Sequence, residues 1–138
     1  MANSTSHFKM QKVNQIKGRM DSVDIILRVI EIEPKRTVKA KNGEWVLREV
    51  IAGDETGRIK VVLWGEGIGA SIKQGDIIKI ENGWTTVFNN RIELNVGSKS
   101  KITVMNENNN LVPPVEQIPN VMEIVGGEYR VPLRKKKV

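Results

Sequence analysis

Two asparagines, Asn89 and Asn90, interrupt the stretch GWTTVFNNRIEL between Gly83 and Leu94, and a two-residue turn at that point fixes the register of a β-hairpin. Phe88 then faces Arg91, and outward from the turn Val87 pairs with Ile92, Thr86 with Glu93, Thr85 with Leu94 and Trp84 with Asn95. Partners directly across an antiparallel ladder share a face. One face therefore carries Thr85, Val87, Ile92 and Leu94, the pattern of a core. The other carries Trp84, Thr86, Phe88, Arg91, Glu93 and Asn95. Two large aromatic rings thus fall on the side that the aliphatic residues avoid.

Other β-prone runs precede this hairpin. Val23 to Glu33 (VDIILRVIEIE) is dense in β-branched residues and ends at Pro34. A basic segment, Lys35 to Lys41, leads into the turn signal Asn42-Gly43, and Trp45 to Ala52 reads as a second strand. The polar loop GDETG joins it to a third, Arg58 to Trp64. In that strand Ile59, Val61 and Leu63 point one way, and Arg58, Lys60, Val62 and Trp64 the other. The glycine-rich stretch Gly65 to Gly75 has room for one or two helical turns around Ala70 to Gln74. Asp76 to Ile80 begins the fourth strand, the hairpin completes the fourth and fifth, and Lys101 to Met105 extends the last.

Five short strands with a brief helical connection between the third and fourth give an all-β, five-stranded Greek-key barrel of the oligonucleotide-binding (OB) type. An SH3-like barrel fits the element order less well. The barrel is expected over residues 20–105. A polar N-terminal segment (1–19) precedes it, and a linker with a basic C-terminal tail (106–138) follows.

Composition narrows the chemistry. The chain has 138 residues, no cysteine and one histidine, His7, so thiolate metal sites are excluded and neither a metal centre, a cofactor site nor an enzyme activity is expected. Its scattered carboxylates do not pair as a general acid and base. Gly65, Gly67 and Ala70 formally satisfy a dinucleotide-binding fingerprint, but no crossover helix follows to present its N-terminus to a pyrophosphate. No apolar run approaches the roughly 18 residues that cross a bilayer, and the first twenty lack the apolar centre of a signal peptide, so a soluble cytoplasmic protein is expected. The net charge of +6 makes a polyanion a plausible partner.

Trp64, Trp84 and Phe88 all lie, by strand parity, on the face opposite the aliphatic one, beside basic or amide neighbours. Exposed rings of this kind mark a binding surface. Flat rings among cations suit single-stranded nucleic acid, whose bases stack on the rings while Lys and Arg neutralise phosphates. Arg28, Lys60, Lys79, Arg91, Lys99 and Lys101 are the candidate phosphate contacts. Trp45 either belongs to a loop closing over the strand or packs at the barrel end. The same face would also serve single-stranded RNA, or the docking of a protein partner.

The segment VIAGDETGRIKVVLWGEG, with IKQGDIIKIENGWTTVFNNRIELNVGSKSKI after it, closely resembles the simple single-stranded DNA-binding proteins of archaea. More distantly it resembles the single-OB subunit of the eukaryotic sensor of single-stranded DNA. The resemblance runs from about Lys12 to Met105, and GDETGR, LWG and ENGWTTVF make it specific. It implies a non-enzymatic, nucleoid-associated protein of an archaeal cytoplasm that coats exposed strands during replication, recombination and repair with little sequence preference. It also implies stacking roles for Trp64, Trp84 and Phe88, and a site position at Asn95, which is aromatic in the eukaryotic relatives. The tail departs from the archaeal pattern: it is short, apolar in patches and ends in RKKKV. Recruitment of replication or repair proteins through the tail, a nonspecific phosphate contact and a plain solubilising terminus are all compatible with it. The sequence is equally compatible with a monomer and with a subunit of a complex.

Overall fold

The computed structural model of the chain describes residues 10–107, 109–124 and 127–130. Its strands are β1 (Val23–Ile32), β2 (Arg36–Ala40), β3 (Gly43–Asp54), β4 (Gly57–Trp64), β5 (Ile77–Phe88), β6 (Arg91–Val96), β7 (Lys101–Val104), β8 (Val121–Ile124) and β9 (Gly127–Arg130). Five of them close on themselves: β3 pairs with β1, β1 with β5, β5 with β6, β6 with β4, and β4 with β3. All these pairings are antiparallel except β4–β6, the parallel seam that shuts the barrel from Lys60↔Glu93 to Leu63↔Val96.

Alternation fills the interior. Ile25, Leu27 and Val29 of β1, Ile59, Val61 and Leu63 of β4, Ile78 and Ile80 of β5 and Leu94 of β6 are buried in one cluster, each such side chain contributing about 1.5–3 kcal/mol. Two irregularities re-aim the strands. In β1 the register shifts between Val29 and Glu31, so that Ile30 leaves the interior and joins Ile77, Val112 and Ile118 in a second cluster. In β5 the pairing with β1 shifts between Ile80 and Gly83. Asn82 there has a left-handed backbone, φ 62°. One extra residue exchanges the faces of everything after it, which is why both Ile80 and Thr85 point inward while Trp84 points out.

The expected helix between the third and fourth barrel strands is absent: Gly65 to Gly75 forms turns only. Over the expected span, Ala70 to Gln74, only isolated turns form, set between two left-handed glycines, Gly69 at φ +67° and Gly75 at φ +91°. The bonds are short-range turns from Ala70 N–H to the Gly67 carbonyl (3.3 Å) and from Ile72 N–H to the Gly69 carbonyl (3.2 Å). These turns drop Ile72 into the core, with Ile68 packed against it, so the connection plugs one barrel end. The Lys101 segment resumes along the edge of β5 after a turn at Gly97 to Ser100, as the separate strand β7.

Segments flanking the barrel are seated on it. Val13 and Ile16 enter the core. After β7, Val112 and Ile118 complete the second cluster, and β8 bridges β4 at Arg58 and β6 at Arg91. The basic end of the tail, Arg134 to Lys137, lies outside the described residues. Among the described residues no helix is long and apolar enough to cross a membrane.

Candidate nucleic-acid interface

The β5–β6 hairpin has the register expected from its sequence, from Trp84↔Asn95 to Phe88↔Arg91. Asn89 and Asn90 adopt φ 51° and 67°, the left-handed pair that a type I′ turn requires and that asparagine tolerates. Trp84 therefore stands outside the barrel, and Trp64, at the end of β4, stands outside with it; both are half-buried and belong to neither apolar cluster. Phe88, at the hairpin tip, is 60% exposed.

A third indole joins the two from the barrel. The β2–β3 hairpin turns at Lys41-Asn42, pairing Val38 with Trp45 and Ala40 with Gly43. Val38, Ala40 and Trp45 form one wall of a cleft of about 650 Å³ whose other walls are Trp64, Trp84 and Gly97. Trp84 approaches Gly97 so closely that a Cβ there would meet its ring at 3.0 Å. Of the two readings open for Trp45, packing at the barrel end is replaced by this position beside the other indoles. The Asn42-Gly43 signal marked the hairpin but not its register: the turn falls one residue earlier, at Lys41-Asn42, which sets Trp45 opposite Val38 rather than Ala40.

Asn95 shares the outward face in register, yet it is 3% exposed. Its Oδ1 accepts the Trp64 Nε1–H at 2.9 Å. Its Nδ2 donates to the Trp84 carbonyl at 3.2 Å and to Thr86 Oγ1 at 3.0 Å. A residue expected to touch the ligand is instead a buried bracket that orients Trp64 from below.

The cation candidates fall in different places. Lys99 is exposed and shares a shallow pocket with Trp84 and Asp21. Arg91 lies opposite Phe88, and Lys101 is exposed on β7 opposite Glu81. Lys60 sits between two carboxylates, Glu49 at 3.6 Å and Glu93 at 3.8 Å, and Glu49 is also bound by Arg36 at 2.9 Å. Lys79 pairs with Glu81 at 3.8 Å. Arg28 is committed elsewhere: its guanidinium donates to the carbonyls of Pro113 (2.8 Å), Gly75 (2.9 Å) and Val112 (2.8 Å), strapping the C-terminal segment to β1. The sequence marked these residues as candidate phosphate contacts but could not show which carboxylate or carbonyl would engage them.

No family model matches the chain. It is 46% identical over 109 residues to the single-stranded DNA binding protein Ssb of Saccharolobus solfataricus, covering 79% of this chain and 72% of that one. The chain belongs to the archaeal single-stranded DNA-binding protein family. This family is one of DNA-binding proteins, not of enzymes. Among solved structures, the replication factor A related protein of Methanobacterium thermoautotrophicum superposes with a TM-score of 0.61 at 26% identity, covering 71% of this chain and 92% of that one. The OB domain of Ta0387 from Thermoplasma acidophilum gives 0.61 at 22%, covering 70% and 87%. The five-stranded barrel is accordingly an OB-fold.

In this archaeal single-stranded DNA-binding protein the Asn95 bracket makes a specific demand. Asn95→Ala removes the acceptor of the Trp64 indole and two donors in a buried setting, where an unmade hydrogen bond costs about 1–3 kcal/mol. The variant is expected to melt several degrees lower and to show altered Trp64 emission, measured by thermal unfolding and by fluorescence of the ligand-free protein. Unchanged melting and emission would mean that the amide does not hold the ring.

Proposed function

We propose that this chain binds and protects single-stranded DNA with little sequence preference, serving replication, recombination and repair. Bases stack on Trp64, Trp84 and Phe88, while Lys99, Arg91 and Lys101 neutralise phosphates. The observation that carries this reading is the convergence of Trp64 and Trp84 in one open cleft outside the aliphatic core. Three large rings left partly in water are costly, and unpaired bases recover that cost by stacking, at about 1–3 kcal/mol each. Duplex DNA keeps its bases stacked and cannot do so.

The test is a titration of matched fluorescent DNA and RNA oligonucleotides at several salt concentrations. Binding is expected to weaken as salt rises, with a log–log slope near −2 if about three phosphates are neutralised, at roughly −0.7 each for a single strand. A clear preference for RNA would move the role to RNA handling. No binding to either would remove the proposal in favour of a protein-docking face.

The centre of the face carries a carboxylate that opposes phosphate. Burial, with the nearby Glu49 charge adding to it and Lys60 opposing, raises the Glu93 carboxyl above its ordinary value of 4.5. A carboxylate with a raised folded-state pKa favours folding most below its unfolded value, and that contribution fades as pH rises through the folded one. Protonation also removes a negative charge from the face, so DNA affinity is expected to increase as pH falls through the same window. Glu93→Gln should mimic the acid form at neutral pH. An expected gain of about two- to fivefold in affinity corresponds to the roughly 0.5–1 kcal/mol of a partly exposed charge. A wild-type pH profile that Glu93→Gln leaves unaltered would place the titration elsewhere.

A further inference from the structure

Trp45 gives the cleft a feature that stacking on the barrel face alone does not need. It stands on β3, in the hairpin that leaves the barrel, and is 45% exposed. It lines the cleft together with Trp64 and Trp84, with Val38 opposite it in the hairpin and Ala40 nearby. Two of the three indole N–H groups are already satisfied inside the protein: Trp45 donates to Asn42 Oδ1 at 3.3 Å, and Trp64 to Asn95 Oδ1 at 2.9 Å. What those rings still offer a ligand is their apolar surface rather than their polar edge. A cleft of about 650 Å³ falls within the roughly 300–1,000 Å³ of small-ligand sites.

The rim supplies the complementary charge. Lys41 is exposed at the hairpin turn, and Lys99, exposed beyond Ser98 of the cleft lining, shares a second pocket with Trp84. Flat apolar walls within, and lysines at both lips, suit a planar base whose flanking phosphates lie outside.

We propose that this cleft is a base-capture subsite: one unpaired base of the bound strand enters between the Trp45 indole of the hairpin and the Trp64 and Trp84 indoles of the barrel. This rests on the single-strand binding proposed above and adds to it a single nucleotide position enclosed from two sides, with the others stacked on one side only. Trp45 is then a binding residue, and the basic hairpin is one jaw of the site.

The experiment uses the full chain and a set of oligonucleotides of the shortest length that still binds with full affinity, so that one register dominates, each carrying the fluorescent base 2-aminopurine at one position, with a matching set bearing one abasic position. With wild-type protein, one 2-aminopurine position is expected to be quenched more than the others, and the abasic change at that position is expected to weaken binding about fivefold or more, the lower end for a lost stack. Trp45→Ala should weaken the intact oligonucleotide by a similar factor and abolish both the selective quenching and the abasic penalty. Trp45→Phe should restore them in large part. If Trp84→Ala weakens binding while Trp45→Ala changes neither affinity nor the 2-aminopurine pattern, the subsite is refuted and the stacking face stands. If the wild-type protein binds no oligonucleotide, the broader reading fails first, and the subsite with it.

Discussion

Trp84→Ala is expected to bind a single-stranded oligonucleotide about 5- to 140-fold more weakly than the parent at fixed salt, the equivalent of roughly 1–3 kcal/mol for one lost base stack. Trp84 belongs to both pockets of the interface. It lines the cleft with Trp45 and Trp64, shares a second pocket with Lys99, and lies across from the buried Asn95. The salt slope should stay nearly unchanged, because no phosphate contact is removed. That separates the variant from a Lys99→Ala change, expected to lower the slope with a smaller loss of affinity. The ring is only half-buried, so a melting temperature close to the parent's distinguishes lost stacking from lost folding. Anisotropy titrations at three salt concentrations, with a thermal melt of each variant, provide the readout. An affinity within twofold of the parent would remove Trp84 from the site.

The largest effect on stability is expected at Asp54, far from the cleft. This carboxylate closes β3 and is fully buried, 0% exposed. Oδ2 accepts the Val13 N–H at 3.0 Å. Oδ1 accepts the Thr56 N–H at 2.9 Å and the Thr56 hydroxyl at 2.7 Å. One side chain thus shapes the β3–β4 turn and fastens the N-terminal segment, whose Val13 and Ile16 belong to the core. Asp54→Ala strands a buried N–H and unfastens that segment. A loss of about 3 kcal/mol is expected, or roughly 10 °C in melting temperature for a chain of this size. Differential scanning calorimetry decides it. A fall of less than about 2 °C would mean that the N-terminal segment holds its place without the carboxylate.

Local pattern made some of this architecture legible and left the rest hidden, for reasons that are physical. The hairpin register followed from Asn89 and Asn90, because a side-chain period of two leaves no freedom once the turn is fixed. The outward placement of Trp84 followed from that register, and that of Trp64 from the alternation in RIKVVLW. The helix expected between Gly65 and Gly75 failed because the stretch spends its apolar residues, Ile68 and Ile72, on capping the barrel, with Gly69 turning left-handed between them. Long-range partners were not legible at all. Arg28 looked like a free cation, but its partners are carbonyls 47 and more residues away in sequence. Asn95 looked like a ligand contact until the Trp64 indole, 31 residues earlier, was found on its amide. Val13 and Ile16 sit singly in a polar stretch with no period to betray burial.

The most direct test of the account is the protein's own tryptophan emission during titration with a homopolymeric single strand at constant salt. Stacking of bases on Trp64 and Trp84 predicts saturable quenching that follows the same binding curve as oligonucleotide anisotropy. An oligonucleotide that binds tightly while the emission stays constant would contradict it, because the strand would then be held by charge alone and the indole cleft would serve some other ligand.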